Sequence, residues 1–505
     1  MPLVKWFSRS ALAALFACSA VSLSAADSCG SGPCAPPSPA PTCGDPGCGE
    51  NGCGENVSVC GYESLGLESL FSEFSGDRPL LADLQGQKVG GLTYSVGGEL
   101  RYRHINERNR LRPPVAGMTN YDQWRFTPYV SMSYDRVTGY VQAIEAPTFG
   151  VDAPFTDLPI DTNRADLLQA YVDIKIGEIG DGKLSYRYGR QLLKYGGQRL
   201  ISPLAWSNTF RNFEGHKLVY TDSDWDIDGF AVQSVNGAGG NLFRPVSFDH
   251  ADQSRRLTGV YATYKGIENN NVDLYWIHFD EDTPSAALMD GSRHTLGMRI
   301  AGKQPVKEGK AVVGSWNWDL EGAWQFGEDN FGSAAIRDVN AGMLGALGGY
   351  TFESAPLKPG IGGIFYYSSG DNDPTTGDIN TFYTMYPLGH AYWGQIDNLS
   401  GQNLLNYGVQ ASVKPHQKVD LVTQWHYFEL AQASDRIYNI AGAGLAGGGA
   451  SKIGNELDIV ATYTHSRNLN VQAGYFWFFY GDAVTGGPLA RPDARQFYVM
   501  TTFTY

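Results

Sequence analysis

From Leu92 to the C-terminus the chain alternates apolar and polar residues with a period of two. In the first segment Tyr94, Val96, Leu100 and Tyr102 share one face, and Thr93, Ser95, Glu99, Arg101 and Arg103 share the other. In the second, Trp124, Phe126, Val130 and Met132 oppose Gln123, Arg125, Thr127 and Ser131. Around 313–326, Trp316, Trp318, Leu320, Trp324 and Phe326 oppose Ser315, Asn317, Asp319, Glu321 and Gln325. At 469–479, Leu469, Val471, Ala473, Tyr475, Trp477 and Phe479 fall on one face. A period of two is that of a strand with one apolar face. Eighteen such segments can be placed, starting near 92, 121, 137, 165, 183, 216, 225, 256, 270, 292, 313, 336, 361, 406, 418, 455, 468 and 495.

The connections sort by length. Asp135-Arg136, Asp222 to Asp224, Lys414 to Gln417 and Ser466-Arg467 are short; 105–120, 147–164, 194–215, 236–255, 370–405 and 430–454 are long. Short turns on one side and long loops on the other are the pattern of an outer-membrane barrel. Sheet edges cannot face hydrocarbon, so spanning strands must close on themselves. A mean hydropathy of −0.27 suits a chain in which alternate residues face lipid. Aromatic residues, 13% of the chain, suit the girdles at the two interfaces. The last strand ends with Phe497, Val499, Phe503 and Tyr505 at alternate positions, the form of a barrel assembly signal. The predicted fold is therefore all-β: a transmembrane antiparallel barrel of about 18 strands over 92–505, with short periplasmic turns and long extracellular loops. The apolar faces meet lipid and the polar faces line an aqueous lumen.

The start of the chain differs. Lys5 and Arg9 precede an apolar run, Ala11 to Leu23, and then Ser24-Ala25-Ala26, so residues 1–26 read as a secretory signal peptide. A competing reading makes Cys18 a lipidated N-terminus. Residues 27–61 are rich in Cys, Gly and Pro. The six cysteines at 29, 34, 43, 48, 53 and 60 suit disulfides in an oxidising compartment, with metal binding as the alternative. Residues 62–91 carry Leu65, Leu67, Leu70, Phe71 and Phe74, enough for a short helix or linker at the barrel base or a plug.

Charge changes the picture at one place. The chain has a formal net charge of −14, yet 183–217 holds seven basic residues against Glu214 alone. A basic loop between strands is either a solvated face or an anion site at a mouth. The run RQLLKYGGQRLISPLAWSNTFRNFEGHKL resembles the core motif of the bacterial alginate export family of outer-membrane barrels. SSGDNDPTTGDINTFYTMYPLGHAYWGQIDN, from Ser368, and GNELDIVATYTHSRNLNVQAGYFWFFYG, from Gly454, are similar to the same family. The resemblance implies passive export, outward through an aqueous, charge-lined outer-membrane pore, of an anionic polysaccharide, alginate-like, or of its fragments. It implies partners among acidic saccharides, outer-membrane lipid and periplasmic export machinery, and no nucleic acid. Arginines suit carboxylates and aromatic rings suit sugar faces. The residues expected to do this are Arg101, Arg103, Arg125, Arg187, Arg190, Lys194, Arg199, Trp206 and Arg211.

Arg101, Arg103, Arg125, Lys175 and Arg187 come from the first five strands; Asp319, Glu321, Asp420, Glu456 and Asp458 come from the last eight. This predicts a basic arc facing an acidic arc across the lumen, or else pairs that brace the wall, such as Glu99 with Arg101 and Asp173 with Lys175. An acidic chain is an awkward conduit for a polyanion, so uptake of small solutes by a general porin is the alternative function. Asp371, Asp373 and Asp378 space their oxygens as in a calcium loop, or as in a run of Asx turns around Pro374. No other cofactor is called for. The motifs G-x-S-x-G, H-E-x-x-H and Walker A are absent, and a channel rather than an enzyme is expected.

Overall fold

The computed structural model describes residues 84–505, apart from 113–115, 153–154, 156–157, 237–247, 283–289 and 331–334. The segments assigned to 1–26, 27–61 and most of 62–91 lie outside the described residues. The last part of 62–91 contributes a short strand, Gln87–Val89, hairpinned onto the first barrel strand.

The wall has eighteen strands, at the places the alternation predicts. In chain order they are β1 (Leu92–Gly97 with Glu99–Arg108), β2 (Met118–Phe126 with Tyr129–Tyr134), β3 (Val137–Ala146), β4 (Asn163–Ile179), β5 (Gly182–Gln191) and β6 (Phe213–Thr221). Then come β7 (Trp225–Asn236), β8 (Arg255–Ile267), β9 (Asn270–Glu281), β10 (Gly291–Glu308), β11 (Ala311–Asp329) and β12 (Arg337–Thr351). The last six are β13 (Gly360–Ser368), β14 (Leu404–His416), β15 (Val419–Leu430), β16 (Lys452–Thr464), β17 (Leu469–Tyr480) and β18 (Ala494–Thr504). Each pairs antiparallel with the next, and β18 pairs with β1 from Arg495↔Arg108 to Thr504↔Glu99, which closes the barrel and removes the edges. β1 and β2 are each interrupted once, at Gly98 and at Thr127-Pro128. There Gly98 exchanges backbone hydrogen bonds with Tyr505, both at 2.9 Å.

The faces divide as the alternation requires. Trp124, Met132, Trp316, Leu320, Trp324, Leu344, Tyr407 and Phe479 are exposed on the outer surface. Arg101, Arg103, Arg125, Asp319, Glu321 and Gln325 are buried inside. Lys175 keeps the inward parity of Asp173, opposite the buried Ser185, and is exposed at the turn-side end of β4. One expectation is corrected, that the lumen is lined by polar faces: Phe230, Tyr261, Tyr275, Phe279, Phe428, Phe476, Phe478 and Tyr498 point inward and are buried.

Those aromatics are buried because loops fold into the bore. Leu193, Tyr195, Leu200 and Ile201 of loop 192–212, and Phe382, Met385, Tyr392, Trp393, Ile396 and Leu399 of loop 369–403, join them in one apolar cluster. The hydrophobic core of this protein therefore lies within its barrel.

Candidate functional site

Loop 192–212 turns inward where the sequence breaks at Gly196-Gly197. Gly196 has φ +49°, and a Cβ there would collide with the Tyr261 hydroxyl on the wall. Beyond the turn, Arg199 enters a buried cluster: its Nη1 donates to Asp319 Oδ1 at 3.0 Å and Glu321 Oε2 at 2.7 Å. Arg299 of β10 holds Asp319 from the other side and Asp273 at 2.9 Å.

The second half of the same loop is held by the opposite charge pattern. Arg101 donates to the carbonyls of Ala205 (3.0 Å), Trp206 (3.2 Å) and Ser207. Arg125 donates to Ala205 and Ser207, both at 2.8 Å, and to Glu99. Arg103 donates to the Trp206 carbonyl at 2.8 Å and to Gln123. The basic and acidic arcs both exist at these positions, but each grips the in-folded loop that lies between them.

The remaining expected residues are spread out. Arg187 makes a two-pronged pair with Asp173, 2.7 and 2.8 Å, and covers the Tyr171 ring. Arg190 donates to the carbonyls of Leu167 and Asp249 and lies 3.4 Å from Glu214. Lys194 is half-buried on the loop between Leu193 and Tyr195. Glu99 and Asp173 thus find arginines on neighbouring strands rather than the basic residue two positions along their own.

Loop 369–403 is tied in as firmly. Ile396 N–H donates to Glu456 at 2.7 Å and Gln395 N–H to Asp458 at 3.3 Å. The two loops also bond to each other: Ser202 N–H to the Tyr386 carbonyl (2.8 Å), Tyr386 N–H to Leu200 (2.9 Å) and Leu388 N–H to Gln198 (2.9 Å).

Where the loops meet β1, β2 and β18 on the loop side, they leave a cavity of ≈ 110 Å³, room for a few waters. It is lined by Arg103, Arg110, Arg112 and Arg211, by Glu107, Asp161 and Asp397, and by Tyr121, Trp206, His390 and Tyr498. Among the described residues, Arg103, Arg112 and Arg211 form no ion pair. Arg211 donates to the carbonyls of Ser202 (3.4 Å) and Pro387 (3.2 Å), and burial pushes its pKa down to about 10. Trp206 stacks on His390 with ring centroids 3.7 Å apart and donates Nε1–H to Asp397 at 3.0 Å. Burial opposes ionisation of Asp397, but His390, Arg110 and Trp206 outweigh it and its carboxyl sits below the ordinary range. Burial, with Glu107 adding and Arg112 opposing, holds the Asp161 carboxyl above it.

Of the residues expected from sequence, the cavity brings together Arg103, Trp206 and Arg211. Arg110, Arg112, Asp161, His390, Asp397 and Tyr498 were not expected; they come from four other parts of the chain. His390 and Asp397 did lie in a family-like stretch, which was the one signal available.

The Asp371–Asp378 loop does not gather its carboxylates. Asp371 is buried and accepts from Asp373 N–H at 3.0 Å; Arg337 lies 3.7 Å away. Asp373 is exposed and takes the hydroxyls and N–H groups of Thr375 and Thr376, an Asx turn, and these bonds draw its pKa to about 2. Asp378 is exposed. Among the described residues no group of three or more His, Cys, Asp or Glu is placed to hold a metal ion.

The family model described as Alginate export matches residues 93–495. The barrel is similar to solved Pseudomonas aeruginosa structures. OprD gives a TM-score of 0.54 at 11% identity, covering 82% of this chain and 93% of that one. OccK8 (OprE) gives 0.53 at 14%, covering 82% and 98%. OpdK, solved with vanillate, gives 0.52 at 11%, covering 81% and 98%. At such identities the likeness shows the fold alone. No curated protein matches the sequence.

Proposed function

Because this chain belongs to the alginate export family and forms an outer-membrane channel barrel, we propose that it passes an acidic polysaccharide, alginate-like, or its short fragments. The observation that carries this reading is the cavity in which Arg103, Arg112 and Arg211 stand without a carboxylate partner beside Trp206. A guanidinium takes a carboxylate with two parallel hydrogen bonds and stays charged at any working pH. The ring offers a face to a sugar, and Glu107 and Asp161 offer acceptors to hydroxyls. Each charge-assisted contact contributes about 1.5–3 kcal/mol, and several weak ones in series permit both entry and release.

A second reading, uptake of small solutes, is favoured by the in-folded loops. In the arrangement described, the two loops fill the bore and leave a cavity of ≈ 110 Å³ between them and the wall. Passage of a polymer therefore requires the loop pair to shift, whereas a small anion needs less.

Single-channel recording with uronate oligomers tests the proposal. Wild-type channels should show transient blocks. Changing Arg103, Arg112 and Arg211 together to Gln should shorten them at least tenfold, less so at high salt, where the screening length falls to ~3 Å at 1 M. Arg187→Gln, which removes the pair with Asp173 and the contact over Tyr171 but no residue lining the cavity, is the control. Equal block times in the triple variant and wild type refute the uronate reading. Blocks by small monocarboxylates alone select the second.

A further inference from the structure

Arg108 and Arg495 stand directly opposite each other where β18 closes onto β1. Both side chains are exposed and both lie on the outward face, two residues beyond the outward pair Asn106↔Phe497. Among the described residues neither makes a hydrogen bond or ion pair. The nearby acids are engaged elsewhere: Glu107 points inward to Arg110, and Asp493 takes the Tyr480 N–H at 3.0 Å. Asp122, further down the same face, takes Tyr102 at 2.7 Å and His104 at 2.9 Å. Like charges directly opposite on a sheet destabilise the pair.

The surroundings say where the charges sit. In the same cross-strand row, Arg495 has Trp477 on its other side and Arg108 has Met118. Phe497 and Phe479 are exposed nearby, and Met118 is more than half exposed. Outward aromatics of this kind mark the membrane interface of a barrel, and the long-loop end is its extracellular side. Two unpartnered guanidiniums therefore meet the outer leaflet at headgroup depth.

We propose that Arg108 and Arg495 form a seat for a phosphorylated outer-leaflet lipid. Its phosphate is held between the two guanidiniums and its acyl chains lie along Trp477, Phe497 and Met118. A phosphate accepts paired N–H bonds from arginine and relieves the repulsion between the two. The site rests on the outer-membrane placement of the barrel and is independent of what passes through it.

The test uses the full-length protein in neutral detergent, with native mass spectrometry counting retained lipid. Three probes are compared: a bis-phosphorylated glucosamine-based lipid, the same lipid with its phosphates removed, and a zwitterionic phospholipid. Wild type should retain the bis-phosphorylated lipid at least tenfold better than the dephosphorylated one. Equal retention of the two overturns the proposal without any variant. Arg108→Gln with Arg495→Gln should lose about tenfold, equivalent to about 1.4 kcal/mol. Arg467→Gln, the same charge change at an exposed short-turn position, should lose nothing; an equal loss there shows net charge alone and overturns the site. Arg495→Gln alone should raise the thermal midpoint of lipid-free protein while lowering lipid retention. A fall in both means the arginine is a structural brace.

Discussion

Arg199 ties the first half of loop 192–212 to the wall of the bore, and Arg199→Met tests how much the in-folded state depends on it. The guanidinium is 2% exposed, bonds Asp319 and Glu321, and lies 4.3 Å over the Tyr392 ring. With it gone, Asp319 keeps the two-pronged bond from Arg299, but Glu321 keeps only the Tyr275 hydroxyl at 3.0 Å. Breaking a buried pair on one side costs about 3–5 kcal/mol. Since Asp319 stays satisfied, about 3 kcal/mol is the fitting figure. No wall ladder is touched, so the cost falls on the loop. An equilibrium displaced by about 3 kcal/mol moves by roughly a hundredfold. Proteolysis under fast opening tracks the open population, so chymotryptic cutting at Tyr195, Trp206 and Phe210 should rise by about that factor while heat-modified gel mobility stays that of a closed barrel. Adding Glu321→Leu should reverse most of the effect, because no buried charge is then left alone. Unchanged cutting in the single variant, or no rescue in the double, refutes the reasoning.

The other expectations concern the second loop. Gly394 has φ +87°, and a Cβ there would run into the Glu456 carboxylate; Gly394→Ala should cost about 2–3 kcal/mol locally and open 389–399 to proteases without unfolding the wall. Asp373 has its folded pKa lowered to about 2 by the Thr375 and Thr376 hydroxyls. A lowered carboxylate contributes fully above its ordinary value of about 4 and loses that contribution progressively as pH falls from there through the folded one, so pepsin cutting between 369 and 380 should rise steadily from pH 4 to pH 2. The turn geometry predicts equal protease resistance of that loop with and without chelator; a chelator-dependent cut would mean that a cation draws Asp371, Asp373 and Asp378 together.

The wall was legible because lipid imposes alternation on every strand, and an alternation such as Trp316, Trp318, Leu320 against Ser315, Asn317, Asp319 admits one reading. The interruption at Gly98 and Thr127-Pro128 keeps the parity, so it did not disturb the placing of β1 and β2. The contents of the bore were not legible. Phe476 and Phe478 lie between outward residues in a strand apolar on both faces, and only the loops packed against them explain why. Partners of charges were misplaced for a related reason. Glu99 pairs with Arg125, not Arg101, and Asp173 with Arg187, not Lys175, because the nearest neighbour on a sheet face lies across the ladder. The loop arginines were found as a cluster of charge, but their division between Asp319/Glu321 and the cavity depends on where Gly196-Gly197 turns the backbone.

The three backbone hydrogen bonds between loops 192–212 and 369–403 make a strut. Its feet stand on β5–β6 and β13–β14, eight strands apart in a wall of eighteen and so nearly opposite. A strut across a cylinder resists flattening of its cross-section as well as filling it. Neither half can retreat while the rungs hold, so clearing the bore requires these hydrogen bonds to part. Once the strut parts, the wall loses its diagonal support and becomes more compliant. A bilayer that squeezes the barrel out of round therefore bears on the same hydrogen bonds that join the two loops across the bore.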